Sequence, residues 1–176
     1  MQIALKPMAA AILVSSLAAC ATTMSAPDVP QAVAVPAGHR PAMMLKGVGL
    51  LTYECRAKAG TAGAHEWVFA GPDARLVDAN DRTVGKYYGG PTWEHNEGSK
   101  ITGKQLAVSP GMTGAIPLQL VQTTPATGTG PFNGVTYIQR VNTVGGVAPT
   151  STCDATTMGT KQMVNYSADY VFYRQR

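Results

Sequence analysis

The sequence predicts an all-β fold: a single-domain sandwich or small barrel of short, mainly antiparallel strands, closed by one disulfide. Three observations carry this expectation. The 19 glycines and 12 prolines punctuate the chain every few residues, so helical spacing is scarce. The runs between them alternate apolar and polar side chains with the period of two that turns one strand face to a core. Three cysteines, Cys20, Cys55 and Cys153, give an odd count in which one has a separate use and the other two are free to pair.

Taken in order, the first element is an export leader over residues 1–19. Lys6 supplies the cationic start, Met8 to Leu17 the apolar run, and Ala18-Ala19 the small residues before a cut. The apolar run is shorter than the roughly 20 residues that cross a bilayer as a helix. Leu17-Ala18-Ala19-Cys20 reads as a lipoprotein cleavage site, with the Cys20 thiol receiving the lipid. Ala21 stands where an aspartate would signal inner-membrane retention, so the expected location is the outer membrane, with the domain in the periplasm. Acylation of Cys20 leaves Cys55 and Cys153 to pair in an oxidising compartment. Closing so long a loop stabilises by about 4–5 kcal/mol in the chain-entropy description. The alternative is two buried free thiols.

Residues 20–44 are expected to be a tether. Pro27, Pro30, Pro36 and Pro41 interrupt any helix, and an extended segment of about 20 residues would reach roughly 60 Å. Residues 45–176 form the β-rich domain. Its first strand places Leu51, Tyr53 and Cys55 on one face; Glu66 to Ala70 follows, ending at the Gly71-Pro72 turn signal; Ala74 to Val77 ends at Asp78-Ala79-Asn80-Asp81. Further strands are expected at Lys100 to Val108, Pro117 to Gln122 and Gly134 to Asn142. In the last of these, Val135, Tyr137, Gln139 and Val141 oppose Thr136, Ile138, Arg140 and Asn142. The closing strand alternates Val164, Tyr166, Ala168, Tyr170 and Phe172 with Asn165, Ser167, Asp169, Val171 and Tyr173. The glycines from Gly128 to Gly134 read as a flexible loop; no Lys-Ser/Thr and helix follow to make it a phosphate cradle.

At Gly89-Gly90-Pro91-Thr92-Trp93 with Glu97-Gly98-Ser99, and at Val135 through Thr143 with Gly145-Gly146-Val147-Ala148-Pro149 and Cys153, the chain resembles the family of secreted domains of unknown function numbered thirty-four fifty-five. Gly47-Val48 before Tyr53 and Cys55, and Trp67-x-Phe69-x-Gly71-Pro72-x-Ala74-x-Leu76, match as well. The resemblance spans roughly Gly47 to Tyr173 and implies export. Some fungal relatives carry a malate dehydrogenase label, but no Gly-x-Gly-x-x-Gly after a strand and no alternating helices support a nicotinamide site here. Relatives often place a histidine shortly before the Gly-Pro-Thr-Trp element, where this chain has Lys86-Tyr87-Tyr88.

Candidate sites are few. Trp93, Glu94, His95 and Glu97 cluster on an expected loop and combine an aromatic platform with polar groups, as a ligand site would; the alternative is a Trp filling the core beside a solvated turn. Trp67 and Arg140 complete the candidate set, Arg140 either as an inward anchor for a carboxylate or as a structural ion-pair partner. A hydrolase using Glu94, His95 or Glu97 is the competing reading, and a structural envelope protein the third. Ser99 lacks a Gly-x-Ser-x-Gly elbow and reads as a turn residue. His39, His65 and His95 are isolated, so no metal and no cofactor are expected. A formal net charge of +4 is scattered without a run or motif, which argues against nucleic acid. The expected partners are the membrane, through the lipid anchor, and an unidentified small molecule, glycan or protein.

Overall fold

The computed structural model describes residues 24–176. The expected leader and the lipidation site at Cys20 lie outside the described residues. Eight strands run in sequence order: β1 (His39–Ala57), β2 (His65–Val77), β3 (Thr83–Tyr88), β4 (Thr92–His95), β5 (Lys100–Ser109), β6 (Leu118–Thr123), β7 (Val135–Gly145) and β8 (Lys161–Gln175). Each pairs antiparallel with the next, and β1 pairs with β8, so the sheet closes into an eight-stranded barrel. Of the two expected architectures, closure selects the barrel, which leaves no unpaired sheet edge.

The period-two alternation decides which side chains fill it. Leu51 and Tyr53 of β1, Leu76 of β2, Tyr87 of β3, Trp93 of β4, Ile101 of β5, Val121 of β6, Ile138 of β7 and Tyr166, Tyr170 and Phe172 of β8 form one buried interior cluster. Outward positions carry Glu66, Asp73, Arg75, Lys86, Lys100 and Lys104, all exposed.

Two expected strands, Glu66 to Ala70 and Ala74 to Val77, are one. Gly71-Pro72 does not turn the chain; β2 continues through it. The register between β1 and β2 slips at Thr52/Tyr53, and Gly71 absorbs the kink with φ at 150°. A bulge costs less than a turn here because Gly tolerates that backbone and Pro72 gives up no ladder donor. β4, expected as loop, is a strand, and it pairs with β3, for which no element was expected. Gly85 allows this: an added Cβ there would collide with the Glu94 carbonyl, so only glycine lets β3 and β4 approach so closely.

The segment expected as tether is partly packed. Val33, in a 3-10 turn over Gln31–Val33, is fully buried, and β1 begins at His39. Val29 and Val35 lie over Val141, Val171 and Tyr173, which face outward from β7 and β8. Gln139 Nε2 donates to the Val33 carbonyl at 2.6 Å, while Gln139 Oε1 accepts the Tyr173 hydroxyl at 2.7 Å. The strap is held because these outward positions are apolar and their one amide donates to it.

One end of the barrel is closed. Phe132, expected on a flexible loop, is fully buried and stacks on Phe172 at 4.8 Å. The loop is fastened by the Phe132 amide donating to Ser99 Oγ, and Gly128 and Gly130 leave room for Ser99 and its neighbour Gly98. Ser99 is thus spent on a distant backbone amide. At the other end Cys55 and Cys153 form the disulfide, with a sequence separation of 98.

Candidate functional site

The open end of the barrel holds a cavity of about 480 Å3. It is built from strands that are distant in sequence. β1 contributes Leu51 and Tyr53, β2 Phe69 to Pro72, β3 Tyr87, β8 Tyr170, β7 Arg140, and β5 and β6 Gln105 and Gln119. The β3–β4 turn at Gly90-Pro91 and the β5–β6 connection at Ile116-Pro117 form its rim. Segments that carry the sequence resemblance therefore meet at this mouth: Gly71-Pro72, Gly90-Pro91 and Arg140.

Among the described residues Arg140 is the only charged one in the lining. Alternation on β7 sends it inward on the face of Ile138. Its Nε and Nη2 both donate to the Pro117 carbonyl, at 3.1 and 2.9 Å, which fixes the guanidinium plane. Among the described residues no carboxylate forms an ion pair with it. Around it stand phenols. Burial pushes the Tyr53, Tyr87 and Tyr170 hydroxyls above the ordinary tyrosine range, the Arg140 charge opposing this in part, so they are neutral donors. Tyr53 donates to the Gly146 carbonyl at 2.7 Å, and the Tyr166 and Tyr170 hydroxyls lie 3.3 Å apart.

The residues singled out in the sequence separate. Trp93 is fully buried beneath the cavity floor, stacked on Tyr87 at 4.6 Å and edge-on to Tyr170 at 5.7 Å. Its indole N–H is buried without a hydrogen-bond partner. His95, on the same face of β4, packs edge-on against Phe132 at the closed end, and its Nδ1 accepts the Glu97 amide at 3.2 Å. Glu97 is exposed on the following turn.

Glu94 points out of the barrel. It accepts the Tyr88 hydroxyl at 2.5 Å and lies 3.3 and 3.4 Å from the Lys86 and Lys100 ammonium groups. The Tyr88 hydroxyl first, then the two lysines, hold its carboxyl below the usual range. β4 therefore turns Glu94 and His95 to opposite faces. Trp67, opposite Cys55 in register, donates its indole N–H to the Ser151 carbonyl at 2.9 Å and ties down the loop beside the disulfide. Among the described residues no group of three or more His, Cys, Asp or Glu is placed to hold a metal ion.

Of the five candidate ligand residues only Arg140 lines the cavity. Tyr53, Tyr87, Tyr170, Gln105 and Gln119 were not singled out. Their signal was faint but present, because Tyr53 and Tyr170 fall on the expected inward faces and each carries a polar atom where a core residue needs none.

Comparison with known proteins agrees with the resemblance read from the motifs: residues 36–174 match the family described as "Protein of unknown function (DUF3455)". No curated protein and no solved structure matches the chain.

Proposed function

The chain belongs to the DUF3455 family of proteins of unknown function, and from that premise we propose that it is a non-enzymatic binding module of the bacterial envelope, taking a small molecule into the open mouth of its barrel. The observation that carries this reading is the cavity of about 480 Å3 around Arg140, a size within the roughly 300–1,000 Å3 of small-molecule sites. Barrel mouths are recurrent places for such sites because closure supplies a rigid wall and the end loops supply the rim. A half-buried guanidinium with no counter-charge among the described residues is a second support, since a buried charge is costly until paired. In this proposal Cys20 carries the lipid that holds the domain at the outer membrane, facing the periplasm.

Binding is testable on the purified full chain in detergent. Trp93 touches Tyr87 and Tyr170, both in the cavity wall, so its emission should respond to occupancy. A screen of organic acids, glycans and peptidoglycan fragments should yield a ligand that shifts both Trp emission and melting temperature. No response across the three classes would remove the small-ligand reading. Hydrolysis that vanishes on replacing Glu94, His95 or Glu97 would install the hydrolase in its place. Cys20→Ala should abolish incorporation of a fatty-acid analogue; labelling that persists would remove the anchor.

A further inference from the structure

We propose that the cavity selects an organic monoanion with a flat apolar body, of which an aromatic carboxylate is the simplest form; this rests on the cavity being the binding site. The barrel's closure divides the mouth into two unlike walls. In a ring of eight strands in sequence order, β2 lies across from β6. Arg140, Gln119 and Gln105 sit on β7, β6 and β5, so the polar lining forms one continuous strip. Gln119 is the register partner of Arg140, and its Nε2 donates to Gln105 Oε1 at 2.5 Å. Facing this strip are Tyr53 on β1, Phe69 on β2 and Tyr87 on β3, with Tyr170 of β8 between the walls. One side of the mouth is cationic and amide-bearing, and the other is aromatic.

The donor inventory of Arg140 specifies the head group. A guanidinium has five N–H donors in a fixed fork. Two are spent on the Pro117 carbonyl through Nε and Nη2, which orients the plane and leaves the Nη1/Nη2 edge for a two-oxygen acceptor. A carboxylate matches that edge and supplies the missing counter-charge. The aromatic wall specifies the body. The Tyr53 hydroxyl is taken by Gly146 and that of Tyr170 faces Tyr166 outside the lining; the Tyr87 hydroxyl lies beside Tyr170 and Phe69 adds no polar atom, so this wall presents ring faces more than free hydroxyls. A polyol needs donors and acceptors on all sides and would find them on one wall only. A flat apolar body would cover the rings and meet half-exposed Phe69 at the rim.

The test is calorimetry on the purified full chain with naphthalene-2-carboxylate and its uncharged carboxamide, with amide chemical shifts at Gly90, Gly103, Ile116 and Arg140 reporting the place. The carboxylate should bind about 10- to 100-fold more tightly than the carboxamide, the range for hydrogen bonds to a charged group. Both probes should shift the cavity amides. Arg140→Gln should erase the preference for the carboxylate; Arg140→Lys, which keeps the charge without the fork, should retain part of it. The comparison of the two probes on the unmodified chain needs no variant, so it survives a folding defect at Arg140. Equal affinity of the two probes, with shifts at the cavity, would overturn the anion preference and leave the cavity reading standing. No shift at the cavity with either probe would overturn both.

Discussion

Gly47 lies against the ring of Tyr170, and an added Cβ would stand 2.5 Å from its Cε2 atom. Tyr170 is fully buried and wedged between Tyr87 and Trp93, so its ring has little room to yield. Gly47→Ala should therefore cost about 1–3 kcal/mol, as overpacking of a tight core does, and lower the melting temperature by several degrees. It should also disturb one wall of the cavity, seen as a change in near-ultraviolet circular dichroism. A variant that melts with the parent would mean that the ring can move. The same scale explains Gln139, which is 1% exposed yet hydrogen-bonded at both its amide nitrogen and its oxygen. Gln139→Leu keeps the volume but leaves the Val33 carbonyl and the Tyr173 hydroxyl unpaired, at about 1–3 kcal/mol for each buried group. Hydrogen exchange should show amide protection lost over residues 29–35 before the barrel itself opens; unchanged protection there would show that Gln139 does not hold the strap.

Among the elements, the β7–β8 connection is the one that depends most on covalent chemistry. It is fastened by the Cys55–Cys153 disulfide, by Trp67 donating to Ser151, and by Cys55 and Thr160 sharing a backbone hydrogen bond. Cys153→Ser should cost about 2–5 kcal/mol, the usual price of losing a native disulfide. The loop should loosen while the strands persist. Trp67 emission should then move to the red, as its indole meets water, while that of Trp93 stays in place; Trp67→Phe separates the two signals. Coincident loss of both signals would show that the disulfide holds the whole barrel instead of one connection. The N-terminal strap differs in kind, being held by apolar contacts and one amide.

For the whole molecule, aromatic filling sets the response to alkali. Burial raises the pKa of Tyr53, Tyr87, Tyr166, Tyr170 and Tyr173, the last to about 12. The unfolded value is 10.0, so above it the folded chain holds more protons than the unfolded one. Their stabilising effect is complete below about pH 10 and is lost as pH rises through the folded values. Tyrosinate absorbance from these five should therefore grow together with loss of the fold in a single alkaline transition. Ionisation that runs ahead of unfolding would contradict the burial. The strand pattern of β8, the turn at Asp78 and the pairing of Cys55 with Cys153 were all legible in the chain, because alternation, turn chemistry and cysteine count are local properties. β3 and β4 were not: β4 lies in a segment expected as loop, and Gly85 of β3 makes sense only once the neighbouring strand is seen to need the space. Trp93 and His95 looked like a site because they are adjacent in sequence, whereas β4 sends them to the cavity floor and to the closed end. By itself the sequence determined an all-β, disulfide-closed domain of a recognisable family. Only the tertiary structure decided that the sheet closes, that Val171 and Tyr173 are covered by the strap, and that Arg140 faces Tyr53, Tyr87 and Tyr170 across one cavity. The physical reason is that period two fixes a side chain's face within its strand, while convergence depends on register and ring closure among strands far apart in the chain.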